Sequence, residues 1–241
     1  MEIDDILQEF ENSARASSRV TKPHQTDLYA QLVTAMVNER MAPDVLPYQG
    51  QLLSQVLDLL SQQQQYLLDS HEYGDSNAGS GVISSDFKLQ LMIVETEVER
   101  LNYLVRSYLR VRLAKLDKFN IFYINKAAST ASTDGSADQL LSPGEVDYIH
   151  KHFKILTQLY NACFLKKMPH FLTLLDDTSG GQSMVSEPDI HHPVFIKVIT
   201  KSPISVRVDA EEVLELERDG IYVVKYSLVR KYVEIGDVQL I

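Results

Sequence analysis

The sequence lacks a second cysteine: Cys163 stands alone. One thiol excludes an internal disulfide and fits a reducing compartment. No apolar run approaches the roughly 18 residues that a membrane-spanning helix needs, and acids stand at the N-terminus where a signal peptide needs basic residues. A soluble, intracellular protein is expected, with no membrane partner. Positive charge is also short, with 23 Lys and Arg against 33 Asp and Glu, a formal net charge of −10. Phosphate neutralisation supplies most of the affinity of a nucleic-acid binder, so direct sequence-specific DNA binding by the isolated chain is not expected. There is no glycine-rich phosphate loop, no zinc spacing and no nucleophile elbow. His150 and His152 lie two apart on a helical pattern, about 200° round, and cannot share a metal. His191 and His192 have no cysteine or acid at ligand spacing. No catalytic, cofactor or metal residue is assigned.

What the chain does have is a long amphipathic stretch, Lys88 to Lys126, read as one central helix. At about 100° per residue Val94, Val98, Leu101, Val105, Tyr108, Arg112, Leu116 and Phe119 fall on one stripe. Ile93, Leu104, Val111 and Phe122 widen it to an arc of roughly 160°, against about 100° for a helix covering one neighbour. Such a helix packs on several sides. Arg112 sits within the stripe. It either meets a carboxylate or carbonyl from another segment or chain, or snorkels its head into water. Glu95, Glu97 and Glu99 read as a solvated charged face, because residues two apart on a helix diverge. An enzyme built on Glu95 and Glu99 is the competing reading.

The rest of the chain organises around this helix. Residues 1–13 place Ile3, Ile6, Leu7 and Phe10 on one helical face, with Asp4 and Asp5 suited to a first turn. Residues 14–26 are small and polar, a flexible linker. A lone apolar stripe on a tether is either a helix-in-groove ligand or folds back on its own domain. Helices are expected over Asp27–Arg40 and Tyr48–Asp69, with Pro43 and Pro47 breaking the chain between them. Tyr73–Ser85 is expected to be a loop, and Ala127–Gln139 to be disordered. Ser142, Pro143 and Glu145 form a capping-box pattern that opens a further helix, on which Cys163 is expected to pack as a small hydrophobe. A short helical turn after Pro169 would use Phe171, Leu172 and Leu175. Residues 176–188 read as a linker. The period then changes to short β-branched runs, VFIKVI, ISVRV, VLELE and IYVVKY, with a turn at Arg218-Asp219-Gly220 and a closing VQLI. The expected fold is mainly α: a helical domain over 27–175, then a small β-rich domain over 189–241. The latter is near the lower size limit for independent stability, so it should lean on a neighbour.

ETEVERLNYLVRSYLRVRLAKLDKF closely resembles the central helix of the SLD-five subunit family of GINS, the four-subunit eukaryotic replication complex. NERMAPDVLPY, Asn38 to Tyr48, is similar to that family's motif between the first two helices. IYVVKYSLVRKYVEIGDVQLI looks like its C-terminal strand, turn and strand. The resemblance covers nearly the whole chain in order. It implies a non-catalytic subunit in the nucleus that assembles with three other GINS subunits. The tetramer would join the minichromosome-maintenance ring and its RecJ-like cofactor in the replicative helicase, acting in initiation and elongation. DDILQEF resembles the peptide box that docks replication proteins on the trimeric Ctf-four/And-one hub, which puts Asp4, Asp5, Ile6, Leu7 and Phe10 at that contact. Val105, Tyr108 and Arg112 are expected at or near a subunit interface. The alternative is a general helical adaptor outside replication that uses the same N-terminal peptide on another hub.

Overall fold

The computed structural model describes residues 23–77, 85–130, 140–169, 173, 185–200, 202–208 and 213–241. Helix α1 spans Pro23–Met41 and α2 spans Gly50–Asn77. Helix α1 starts four residues earlier than expected, inside the anticipated linker. Proline is tolerated there because the first-turn N–H has no helical partner in any case. Helix α2 runs on through Tyr73–Asn77, where glycine and polar residues had pointed to a loop. The docking peptide, residues 1–13, lies outside the described residues, as do 14–22 of the linker.

The central stretch forms α3 (Ser85–Lys118) and α4 (Asn120–Thr130), two helices rather than one. Phe119 separates them as a single turn residue. The backbone bonds from Phe119 N to Lys115 O and from Tyr123 N to Phe119 O persist, at 2.9 and 3.1 Å, so the break is a local bend. Helix α4 also carries order to Thr130, beyond the expected start of the disordered loop. Helix α5 spans Pro143–Cys163 and opens on the full capping box: the Ser142 hydroxyl accepts from Glu145 N, and the Glu145 carboxylate accepts from Ser142 N. A 3-10 turn follows at Leu165–Lys167. The turn expected after Pro169 falls on Phe171, Leu172 and Leu175, outside the described residues.

The C-terminal strands are β1 (Pro193–Val198), β2 (Ile204–Arg207), β3 (Val213–Leu216), β4 (Ile221–Lys225) and β5 (Val238–Leu240). One antiparallel sheet has the order β4-β1-β5, with Phe195 opposite Val223 and Ile196 opposite Leu240. Strands β2 and β3 form a separate hairpin. Between β4 and β5 lies a helix, α6 (Tyr226–Ile235), where the family resemblance had implied a turn. Tyr226, Val229 and Val233 bury one face of it. It stops at Gly236, whose φ of +91° is a left-handed cap that a side chain would strain.

Two compact units divide the chain: Met1–Thr34 with Gln51–Leu101, and Ala35–Gly50 with Asn102–Ile241. In the first, Leu28 and Leu32 of α1, Leu52, Leu53, Val56, Leu60 and Leu67 of α2, and Leu91 and Val98 of α3 are buried. The second holds two cores. One gathers Val45, Leu116, Phe119, Tyr123, Leu141 and Ile149. The other fills the space between sheet, hairpin and α6, and it includes Ala42 and Leu46 from the segment after α1. The β-rich region therefore closes its core with residues from more than a hundred positions earlier.

Candidate functional site

Arg112 is fully buried, with 0% of its surface exposed. An unpaired guanidinium there would cost several kcal/mol. Each of its five N–H donors finds an acceptor. Nε and Nη2 donate to the two oxygens of Glu145, at 2.7 and 3.0 Å. Nη1 donates to Glu39 Oε2 at 3.0 Å and to the Leu46 carbonyl at 2.6 Å. Nη2 donates again to the Leu140 carbonyl at 3.0 Å. The Tyr48 and Tyr108 rings lie against the guanidinium, with centroids 5.3 and 5.6 Å away. Of the two expectations for this side chain, pairing holds and snorkelling does not, and both carboxylates belong to the same chain.

The cluster extends one turn along α3. Lys115 Nζ donates to Glu39 Oε1 at 2.9 Å, to the Asp44 carbonyl at 2.7 Å and to the Glu39 carbonyl. Two cations face two carboxylates, so the buried set is formally neutral. Burial works against the Arg112 charge, but the Glu145 hydrogen bond and the Glu39 charge outweigh it and hold its pKa above the ordinary arginine value. Lys115 goes the other way: burial lowers it below a normal lysine despite Glu39. Burial raises the Tyr108 hydroxyl to about 12.

A second polar link ties the same segment to the β-rich region. Tyr226 donates its hydroxyl proton to Asp44 Oδ1 at 2.6 Å, and Arg230 Nη2 lies 3.2 Å from Asp44 Oδ2. Burial first, then the Asp44 charge and hydrogen bond, raise the Tyr226 hydroxyl far above a free tyrosine. Leu240 N on β5 donates to Asn38 Oδ1 at 2.8 Å, and Val45 N donates to the Tyr123 hydroxyl at 2.9 Å. The run NERMAPDVLPY thus acts as a clasp. Asn38 holds β5, Glu39 holds α3, Asp44 holds α6, and Ala42 and Leu46 enter the β-rich core. Neither acid of this run is among the residues that the sequence singles out. The available signal was the pair of acids Glu39 and Asp44 in a proline-broken stretch, in a chain with an arginine on an apolar helical stripe.

The three residues expected at a subunit interface are covered within the chain. Val105 and Tyr108 are 5% and 2% exposed, and Arg112 not at all. Their side chains pack among this chain's own segments. Cys163 is exposed and does not pack as a small hydrophobe. Glu95, Glu97 and Glu99 are exposed along α3, and among the described residues only Glu97 has an ion pair, with Arg100 at 3.4 Å. His152 lies 2.9 Å from Asn120 Nδ2 and 3.6 Å from Asp117, while His150 is exposed. Among the described residues no three His, Cys, Asp or Glu side chains gather where a metal could bind, and no helix is long and apolar enough to cross a membrane.

Fold and cluster together define a mainly helical protein in which the end of α1 and the segment after it, through Asn38 and Asp44, are fastened to the small β-rich region of the same unit. The family model described as the GINS complex protein helical bundle domain matches residues 27–164, and that of the DNA replication complex GINS protein SLD5 C-terminus matches 188–241. A protein of Debaryomyces hansenii named DNA replication complex GINS protein SLD5 is 65% identical over 243 residues, covering 100% of this chain and 98% of its own. Its namesake in Saccharomyces cerevisiae is 32% identical, covering 88% of this chain and 80% of its own. That of Schizosaccharomyces pombe is also 32% identical, covering 88% and 91%. The chain belongs to the SLD5 family of GINS proteins, and its role is that of a GINS subunit in DNA replication.

Proposed function

We propose that this chain is a non-catalytic structural subunit of a GINS heterotetramer, working in the nucleus. With three other GINS subunits it would join the minichromosome-maintenance ring and its RecJ-like cofactor in the replicative helicase, in initiation and elongation. ATP hydrolysis would belong to the ring. Residues 1–13, through Asp4, Asp5, Ile6, Leu7 and Phe10, would dock the assembly on the trimeric Ctf-four/And-one hub. The observation that supports an assembly role is the surface of the two long helices. Leu57, Tyr66 and Leu68 on α2, and Leu89, Met92 and Ile93 on α3, are all exposed. Scattered surface leucines are ordinary, but Leu89, Met92 and Ile93 recur at spacings of three and four on α3, and Leu57 and Leu68 share one face of α2, a pattern that supports an interface. Obligate interfaces of this kind cover about 2,000 Å² or more.

Purification through this chain from cells expressing its candidate partners should yield one four-subunit particle of equal stoichiometry by native mass measurement. A stable monomer that co-purifies with none of them would sink the reading. The same preparation carrying Leu7→Ala and Phe10→Ala should keep its four subunits and lose hub binding in a peptide-competition titration.

A further inference from the structure

In a chain of net charge −10, the stretch from Tyr148 to Leu175 contains no aspartate or glutamate. It contains Lys151, Lys154, Lys166 and Lys167. Lys151 is neutralised by Asp147 one turn earlier, at 2.6 Å. Lys154, Lys166 and Lys167 are exposed and form no ion pair among the described residues. Alongside them the apolar content of α5 turns outward. Ile149 is buried and Phe153 and Leu156 are half-buried, but Ile155 is 62% and Leu159 53% exposed, one helical turn apart. Phe164 and Met168 continue the exposed apolar surface past the helix end, with Phe164 against the Tyr160 ring at 5.8 Å.

Neither property alone would call for a partner. An exposed leucine is common, and lysines keep surfaces soluble. Their coincidence is a different matter: aliphatic side chains one helical turn apart, on an acid-free stretch whose Lys154, Lys166 and Lys167 have no ion-pair partner among the described residues although the chain has acids in excess. We propose that the C-terminal half of α5 and the 3-10 turn after it form a docking surface for an acidic amphipathic helix of another protein. Apolar anchors of that helix would seat on Ile155, Leu159 and Phe164, and its carboxylates would face Lys154, Lys166 and Lys167. This is helix-in-groove recognition, where anchors at i, i+3, i+4 and i+7 supply affinity and rim charges supply orientation and on-rate. A second copy of this chain fits poorly, because α5 against α5 would set lysines opposite lysines. Nucleic acid would use the lysines but leave Ile155 and Leu159 in water, and the net charge of the chain would repel it. The surface is distinct from the α2 and α3 residues on which the tetramer reading rests, so the two stand or fall separately.

Cys163 supplies the reporter, being exposed, the sole cysteine, and one turn from Leu159. An environment-sensitive fluorophore is attached there in the full-length chain carrying Leu7→Ala and Phe10→Ala, so that its own N-terminal segment does not compete. The probe is a synthetic peptide of residues 1–13, MEIDDILQEFENS, an acidic amphipathic sequence, beside a scrambled peptide of the same composition. The expected result is a saturable shift that weakens about tenfold as salt rises from roughly 0.05 to 0.5 M, as screening of rim charges requires. Binding should fall at least about tenfold in Ile155→Ser/Leu159→Ser and in Lys154→Glu/Lys166→Glu/Lys167→Glu, surface changes whose folding is checked by circular dichroism. A peptide with lysines in place of its acids should bind the charge-reversed face and not the original one. The proposal is overturned if no saturable shift develops by about millimolar peptide, if the scrambled peptide binds equally, or if binding survives both sets of substitutions.

Discussion

Arg112 is held by more acceptors than any single partner could provide, and its replacement by either alanine or lysine has different consequences. Alanine strands Glu39 and Glu145 in a dry interior. Removing one partner of a buried ion pair costs about 3–5 kcal/mol, so Arg112→Ala should lower the unfolding free energy by that amount in a denaturant titration. A midpoint equal to that of the parent would mean that water reaches both carboxylates. Lysine keeps the charge but cannot present the planar fork that meets Glu145 with two parallel bonds. The tyrosines around the cluster carry the pH dependence. Tyr108 is raised to about 12, and Tyr123 and Tyr226 are raised further, in each case chiefly by burial. A hydroxyl whose folded pKa lies above its unfolded value near 10 contributes stability that is whole below pH 10 and is lost as pH rises through the folded value. Lys115 and Lys126, lowered by burial, oppose this only below their unfolded value near 10.5. Thermal melts should therefore fall steeply between pH 10 and 12, and Tyr226→Phe should flatten part of that fall.

At the scale of elements, Glu145 closes the capping box of α5 and grips Arg112 of α3 with the same carboxylate. The start of one helix is thereby fixed by the middle of another. Loss of an N-cap hydroxyl costs about 1 kcal/mol where the cap acts alone. Here Ser142→Ala also loosens the residue that holds Arg112, so a double-mutant cycle of Ser142→Ala with Arg112→Ala should be non-additive by about 0.5–3 kcal/mol. Additivity would show that the cap and the ion pair act independently. The capping box was legible in the sequence because its signal is local: serine, proline and glutamate within four positions. The alternation of the β-branched runs was legible for the same reason. Helix α6 was not, because IYVVKY reads on as a strand through Tyr226, while the decisive pattern of Tyr226, Val229 and Val233 ending at Gly236 begins at that same residue. The bend at Phe119 left no mark at all, since helical spacing continues across it.

Across the whole molecule, the sequence could say that Arg112 needed a partner but not which. Glu39 lies 73 positions away and Glu145 lies 33, and nothing local announces either distance. The same blindness applies to the interface expected at or near Val105, Tyr108 and Arg112. A wide apolar arc predicts burial, but the pattern carries no indication of whether the cover comes from this chain or another. Val105 and Tyr108 are covered from within, whereas Leu89, Met92 and Ile93, farther up the same helix, are exposed. Family membership rested on firmer ground, because the central run, the clasp and the C-terminal segment occur in the right order, and an order of motifs survives errors in any one of them.

The clasp that lends Ala42 and Leu46 to the β-rich core has a practical outcome for anyone cutting this protein apart. Expressed by itself, a fragment of residues 188–241 would lack Ala42 and Leu46 from its core, Leu240 N would lose its acceptor on Asn38, and the Tyr226 hydroxyl would lose Asp44. It should be insoluble or give a collapsed proton NMR spectrum. By contrast, a full chain nicked once between the helical part and β1 should elute from a sizing column as a single species, two covalent pieces travelling as one body.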